Sequence, residues 1–126
     1  MNLANVLYYL APIIGIGALI IGISAVLRPQ KMSEKFGIPV TGSALPYVIS
    51  TGVRDVFIGL TILILFFLKN WSALGYINFC IGVVAVSDFS VVLKHGNKKT
   101  AMVHAFGAVL VIAYGIFLLT AATAVI

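Results

Sequence analysis

The sequence predicts an all-α polytopic membrane protein, a four-transmembrane-helix bundle, and three observations predict it. Of 126 residues, 62% are hydrophobic and only 9% are charged, where soluble domains carry roughly 25%. The mean hydropathy is +1.18. The apolar residues fall into four runs, each near the about 20 residues that a helix needs to cross a hydrocarbon core of about 30 Å. Almost every residue belongs to a run or to a short connection, so a single domain over residues 1–126 is expected.

The first run, about residues 9–27, is read as a retained span and not as a secretory signal. Its flank "MNLANV" has no basic residue and no small-residue cleavage site follows clearly. Pro29 comes after its last apolar residues and cannot continue the helix. The connection "RPQKMSEKFGIPVTGSA" carries Arg28, Lys31 and Lys35 against Glu34. Within it "QKMSEKFG" is amphipathic, with Met32 and Phe36 four apart. It reads either as a short interfacial helix forming a partial lid or, more simply, as a solvated loop with two apolar anchors.

The second span is expected over about 45–68, with Ser43 as its cap and Pro46 in its first turn. The third covers about 71–93, and the fourth about 100–123. Between the last two lies "KHGNKK" with Lys94, Lys98 and Lys99, whereas the opposite side has only Lys69 in "LKNW". The positive-inside rule therefore puts both basic loops in the cytoplasm and both termini on the other side. Trp71, Tyr8 and Tyr9 then fall at the outer interface, where aromatic belts sit. The net charge of +5 is explained by these loop-end residues, so no nucleic-acid partner is expected. Cys80 is the single cysteine and is expected mid-span, which excludes an intrachain disulfide and a CxxC redox pair. "SAVLR" at 24–28 echoes "SVVLK" at 90–94 without extending, so an inverted repeat gets no support.

Four ionisable residues interrupt the spans. In "STGVRDVFIGL", Arg54 and Asp55 lie roughly 14–15 Å from the basic end of the second span; Asp88 and His104 lie roughly 6–8 Å deep in the third and fourth. A lone charge at the bilayer centre costs at least about 2.5–3.5 kcal/mol, so such groups turn inward and find partners. With His104 neutral the set carries one excess negative charge, which uptake of a proton would relieve. Gly52 and Gly59 share the Asp55 face, and Gly107, Ala108 and Gly115 the His104 face. Gly15, Ala18, Gly22 and Ala25 make a small-residue stripe on the first span. Small residues either tighten a bundle or leave room beside the polar groups, and the same stripes allow a homo-oligomer. Tyr47, Ser50, Thr51 and Ser87 are candidate substrate contacts, with Asn78 a weaker one. For the hydroxyls, bonding to a carbonyl one turn back is the simpler role. Two aspartates and one membrane histidine lack the ligand count and spacing of a metal site, and no cofactor is implied. His95, in the basic loop, reads as solvated.

"FGIP" at 36–39, "GVRDVFIGL" at 52–60, Asp88 near the end of the third span and His104 opening the fourth resemble a family of small four-span membrane proteins from bacteria and fungi. That family is known only as a domain of unknown function and is broadly DoxX-like. The resemblance covers almost the whole chain and implies a four-helix bundle with a polar site of Arg54, Asp55, Asp88 and His104. It implies no reaction.

Three functions follow from these residues. The first is an intramembrane enzyme acting on a lipophilic small molecule, with Asp88 as base, Asp55 as acid or orienter, Arg54 as electrostatic clamp and His104 as proton relay. Such a cofactor-independent hydrolase, isomerase or cyclase would suit epoxide opening, double-bond isomerisation or cyclisation. The set resembles in type the aspartate-arginine-aspartate arrangement of limonene epoxide hydrolase, although Arg54 and Asp55 are adjacent and about 100° apart around a helix. The second is a proton-coupled transporter, disfavoured because the first span has no acidic residue and Arg54 repels a cation. The third is a structural cluster that fixes helix register.

Overall fold

The computed structural model describes residues 3–123 and contains only helices and their connections. In chain order these are α1 (Leu3–Tyr8), α2 (Leu10–Leu27), α3 (Pro29–Phe36), a 3-10 turn (Gly42–Ala44), α4 (Leu45–Phe67), α5 (Trp71–His95) and α6 (Lys98–Thr123). Four stretches are long and apolar enough to cross a membrane: Val6–Leu27, Gly42–Phe67, Trp71–His95 and Lys98–Ala121. The expected spans are therefore present, with ends shifted by a few residues. The chain ends at 1–2 and 124–126 lie outside the described residues, and with them the placement of the termini themselves.

Each break has a local cause. Arg28 leaves helical geometry at φ −137° and ψ 61°, and Pro29 then occupies the first turn of α3, where its missing N–H costs nothing. The segment 29–36 is thus a helix and not the solvated loop that was the simpler reading. Gly37 ends it at φ 101°, with its own N–H donating to the Glu34 carbonyl at 3.1 Å and Ile38 N–H to the Ser33 carbonyl at 3.1 Å. This is the left-handed helix stop that glycine favours. The same stop after α4 uses Lys69, at φ 53°, with Asn70 N–H donating to the Leu65 carbonyl at 3.0 Å. Asn70 then caps α5, its side chain accepting from Ala73 N–H at 3.1 Å. Ser43 is not the cap of α4: it lies within the 3-10 turn, and Ala44 precedes the helix without a side-chain hydrogen bond. Pro46 does occupy the first turn.

Glycine sets the packing. α2 and α4 run antiparallel and touch backbone to backbone at two levels, Gly22 against Gly52 and Gly15 against Gly59. In each helix the two glycines are seven residues apart, two turns along one face. A Cβ on Gly52 would lie 2.7 Å from the Gly22 carbonyl oxygen and 2.8 Å from Ala25 Cβ, well inside van der Waals contact. α5 and α6 form a second such pair, with Gly75 facing Gly115 and Gly82 facing Ile112. Contact between the two pairs, through α4 and α5, is less extensive than within either.

The pairs are joined at both ends. At one end Tyr8 stacks on Trp71 and Phe117, ring centroids 4.6 and 6.0 Å apart, above a core of Ala11, Ile62, Leu74, Tyr114 and Leu118. Of the expected belt residues, Tyr8 and Trp71 belong to this cluster, whereas Tyr9 is exposed. At the other end Gly37 rests on Val92 and Thr100, and its carbonyl accepts from Asn97 N–H at 3.0 Å. Asn97 also caps α6, accepting from Lys99 N–H at 2.8 Å. Both basic connections therefore share one end of the bundle.

Gly52→Val should cost about 1–3 kcal/mol, as overpacking of a filled interface does, read as a lower melting temperature in detergent. Gly107→Ala, where a Cβ would meet nothing within 4 Å, should leave it within about 0.5 kcal/mol. Equal melting temperatures for wild type and Gly52→Val would refute the backbone contact.

Candidate functional site

Arg54 lies on α4 between two carboxylates. Its Nη1 and Nη2 donate to Oδ1 and Oδ2 of Asp88 on α5 at 3.4 and 3.2 Å, a two-pronged pairing that matches the guanidinium fork. Its Nε donates to Asp55 Oδ1 at 3.1 Å, and Nη2 lies 3.0 Å from the same oxygen. The adjacent Arg54 and Asp55 leave the helix in different directions, but the arginine stem is long enough to fold back across that angle. The side chains are 35% exposed for Arg54, 19% for Asp55 and 21% for Asp88. One positive and two negative charges leave this triad with one excess negative charge.

His104 is not a member of the triad. Among the described residues no hydrogen bond or ion pair joins it to either aspartate. Its Nε2 lies 3.1 Å from the Phe36 carbonyl oxygen, and its ring packs on Phe36 with centroids 4.6 Å apart. A carbonyl only accepts, so Nε2 carries hydrogen and Nδ1 is the nitrogen left for other partners. The expected convergence of four ionisable groups is therefore corrected to three plus one, because α3 intervenes and takes the imidazole.

Beside these groups lies a cavity of about 640 Å³, within the range of small-molecule sites. α2 contributes Ile20, Ile21 and Ser24, and α3 contributes Met32, Lys35 and Phe36. Its walls are largely apolar. Asp55 and His104 both line it, from opposite helix pairs, whereas Arg54 and Asp88 do not. Asp55 Oδ1 is held by Arg54, while Oδ2 has no partner among the described residues. α3 covers the basic end of the cavity and is itself pinned by Ser33, whose hydroxyl donates to the Gln30 carbonyl at 2.7 Å and accepts from Val40 N–H at 3.1 Å.

The expected contact residues divide. Thr51 lines the cavity, though its hydroxyl donates to the Tyr47 carbonyl at 3.0 Å, the simpler role for a helical hydroxyl. Tyr47 lines the cavity and is 78% exposed. Ser50 and Ser87 are exposed and outside it, because their helix positions point away from α2 and α3. Asn78 is far from it, buried between α5 and α6, with Nδ2 donating to the Leu74 carbonyl at 2.8 Å and Oδ1 unpartnered. Ser24 and Lys35 were not singled out from sequence. Lys35 had one available signal, its place one residue before Phe36 on the amphipathic segment.

A model of the family described as "Domain of unknown function (DUF4267)" matches residues 15–118. The match takes in all four spans and says nothing of a wider DoxX-like kinship. No curated protein and no solved structure matches the chain.

The Arg54–Asp88 bridge should be measurable by a double-mutant cycle. Arg54→Met and Asp88→Asn, alone and together, should give a coupling energy of about 1–2 kcal/mol in detergent unfolding, toward the upper end for polar contacts in membranes. A coupling indistinguishable from zero would mean that the bridge contributes nothing to stability.

Proposed function

The chain belongs to the family of unknown function that residues 15–118 match, and we propose that it binds a lipophilic small molecule and moves protons on it at Asp55 and His104. The observation that carries this reading is the largely apolar 640 Å³ cavity with two proton-exchanging side chains on its wall. At about 30 Å³ per non-hydrogen atom, its occupant has on the order of twenty such atoms.

Roles follow from what each group has free. Arg54 fixes the direction of Asp55 Oδ1, leaving Oδ2 to act as a base. Protonated at Nδ1, His104 is an acid held in place by the Phe36 carbonyl. Double-bond isomerisation would take a proton at Asp55 and return one from His104. Epoxide opening would protonate the ring oxygen from His104 while Asp55 deprotonates the attacking water, and cyclisation would begin and end with the same two transfers. Asp88 lies outside the cavity with both oxygens on Arg54, so it serves here as a positioning residue and not as the base.

A structural role is favoured for one part of the cluster. The Arg54–Asp88 bridge spans α4 and α5, the main contact between the two helix pairs, and an ion pair can fix register there. Transport has weaker support. Beyond Asp55 and His104, toward the aromatic end, no span contains Asp, Glu, Lys, Arg or His, so no relay of such groups leads across.

The test is a bound lipophile in protein purified into nanodiscs, read by native mass spectrometry. Wild type should retain one; Val48→Trp, which fills the cavity, should not. Asp55→Asn should retain the ligand but slow its conversion, or its uptake of solvent deuterium, by about 100-fold or more, as loss of a general base does. No retained lipophile in wild type would sink the binding reading, and an unchanged rate in Asp55→Asn the acid-base one.

A further inference from the structure

The cavity has a cation without a carboxylate partner at one level and a carboxylate already paired with arginine at the other. At the covered end stand Arg28, Lys31, Lys35, Lys94, Lys98 and Lys99 against Glu34 alone. The other two carboxylates of the chain, Asp55 and Asp88, are both taken by Arg54. Lys35 is the one of these cations that lines the cavity, and among the described residues its ammonium has no carboxylate partner. Tyr47, at the same rim, has no partner for its hydroxyl among the described residues either. Eight residues further along α4, about 12 Å at 1.5 Å per residue, lies the floor at Asp55, which Arg54 already holds.

We propose that the ligand of this cavity is a single-chain amphiphile with an anionic head, held with the head at Lys35 and Tyr47 and the reacting position deeper along the chain, between the levels of His104 and Asp55 and within roughly 12 Å of the head. The inference rests on the lipophile-binding reading above and adds the ligand's charge and direction. The field decides the orientation: an anion is attracted to the basic rim, where Lys35 has no carboxylate partner among the described residues, whereas at the floor the one cation, Arg54, is already taken by two carboxylates, so the head stays at the rim and away from Asp55. Volume decides the number of chains, since a two-chain phospholipid has more than twice the on the order of twenty atoms that fit. The chemistry therefore falls on an internal chain atom, with the head as a handle.

The probes are radiolabelled palmitate and its neutral counterpart methyl palmitate. Binding is measured to the full chain in phosphatidylcholine nanodiscs, with empty nanodiscs subtracted for partitioning. A mildly alkaline buffer keeps the carboxyl ionised and lysine charged. Wild type should bind palmitate about tenfold or more tightly than the ester, the expected gain from one charge-assisted contact. Lys35→Gln, at an exposed position of α3 that tolerates it, should abolish that preference. Equal affinity of wild type for the two probes, or a preference that survives Lys35→Gln, overturns the assignment while leaving a neutral-lipophile site intact. Failure of folded wild type to bind either probe overturns both readings.

Discussion

A guanidinium inside an apolar bundle must find carboxylates, and Arg54 finds one on its own helix and one across the gap to α5. Much else follows from that requirement. Asp88 brings the second helix pair to the depth of the first, at a place where few other side chains meet. Asp55, drawn toward Arg54 by one oxygen, keeps the other free and remains on the cavity wall. The cost of desolvating these charges is moderated by their remaining exposure, and it is offset by the fork geometry at Asp88. The two glycine-matched helix pairs supply the rigid frame, because a backbone-to-backbone contact leaves no side-chain freedom to absorb a shift.

The spans were legible because each is a predominantly apolar run of about 20 residues bounded by charge, Pro29 or Asn70. The glycine stripe of α2 was legible as a packing face, and it proves to do both things such residues can do. Gly15 and Gly22 bring α4 close, while Ala25, on the same stripe, also lines the cavity. Arg54, Asp55 and Asp88 could be grouped because charges of opposite sign in the same half of a bilayer must find partners. His104 could not be separated from them that way. Its partner is a backbone carbonyl, and a carbonyl at Phe36 has no signature in the residue type.

The connection after α2 was the least legible part. Its polar composition fits solvent, and only the periodicity of Met32 and Phe36 points to a buried face. Its helix depends on tertiary contacts: Gly37 must stop it with a left-handed turn and then pack against Val92 and Thr100, 55 and 63 positions later. Without that docking an eight-residue helix would be marginal. Ser24 becomes a cavity residue only because this short helix folds back over α2, so no local pattern could have marked it, whereas Lys35 carried only its place beside Phe36 on the amphipathic segment. Ser50 and Ser87 lie outside the cavity together with the residues they were read against: Ser50 shares the face of Arg54 and Ser87 adjoins Asp88, and neither Arg54 nor Asp88 lines it.

Ile20, Ile21 and Tyr47, which line the cavity, are also 61%, 51% and 78% exposed. Ile20 and Ile21 belong to a hydrophobic span, so on their side the mouth opens toward acyl chains and not toward water. A molecule that arrives there has already left the aqueous phase, and the hydrophobic gain of leaving water was collected at the bilayer. Selection inside the cavity is then left to shape and charge. On the lipophile-binding reading, occupancy would follow mole fraction in the lipid, so a sparingly soluble compound would reach the site at high local concentration. Adding inert lipid would then empty the cavity when the total amount of compound is held constant.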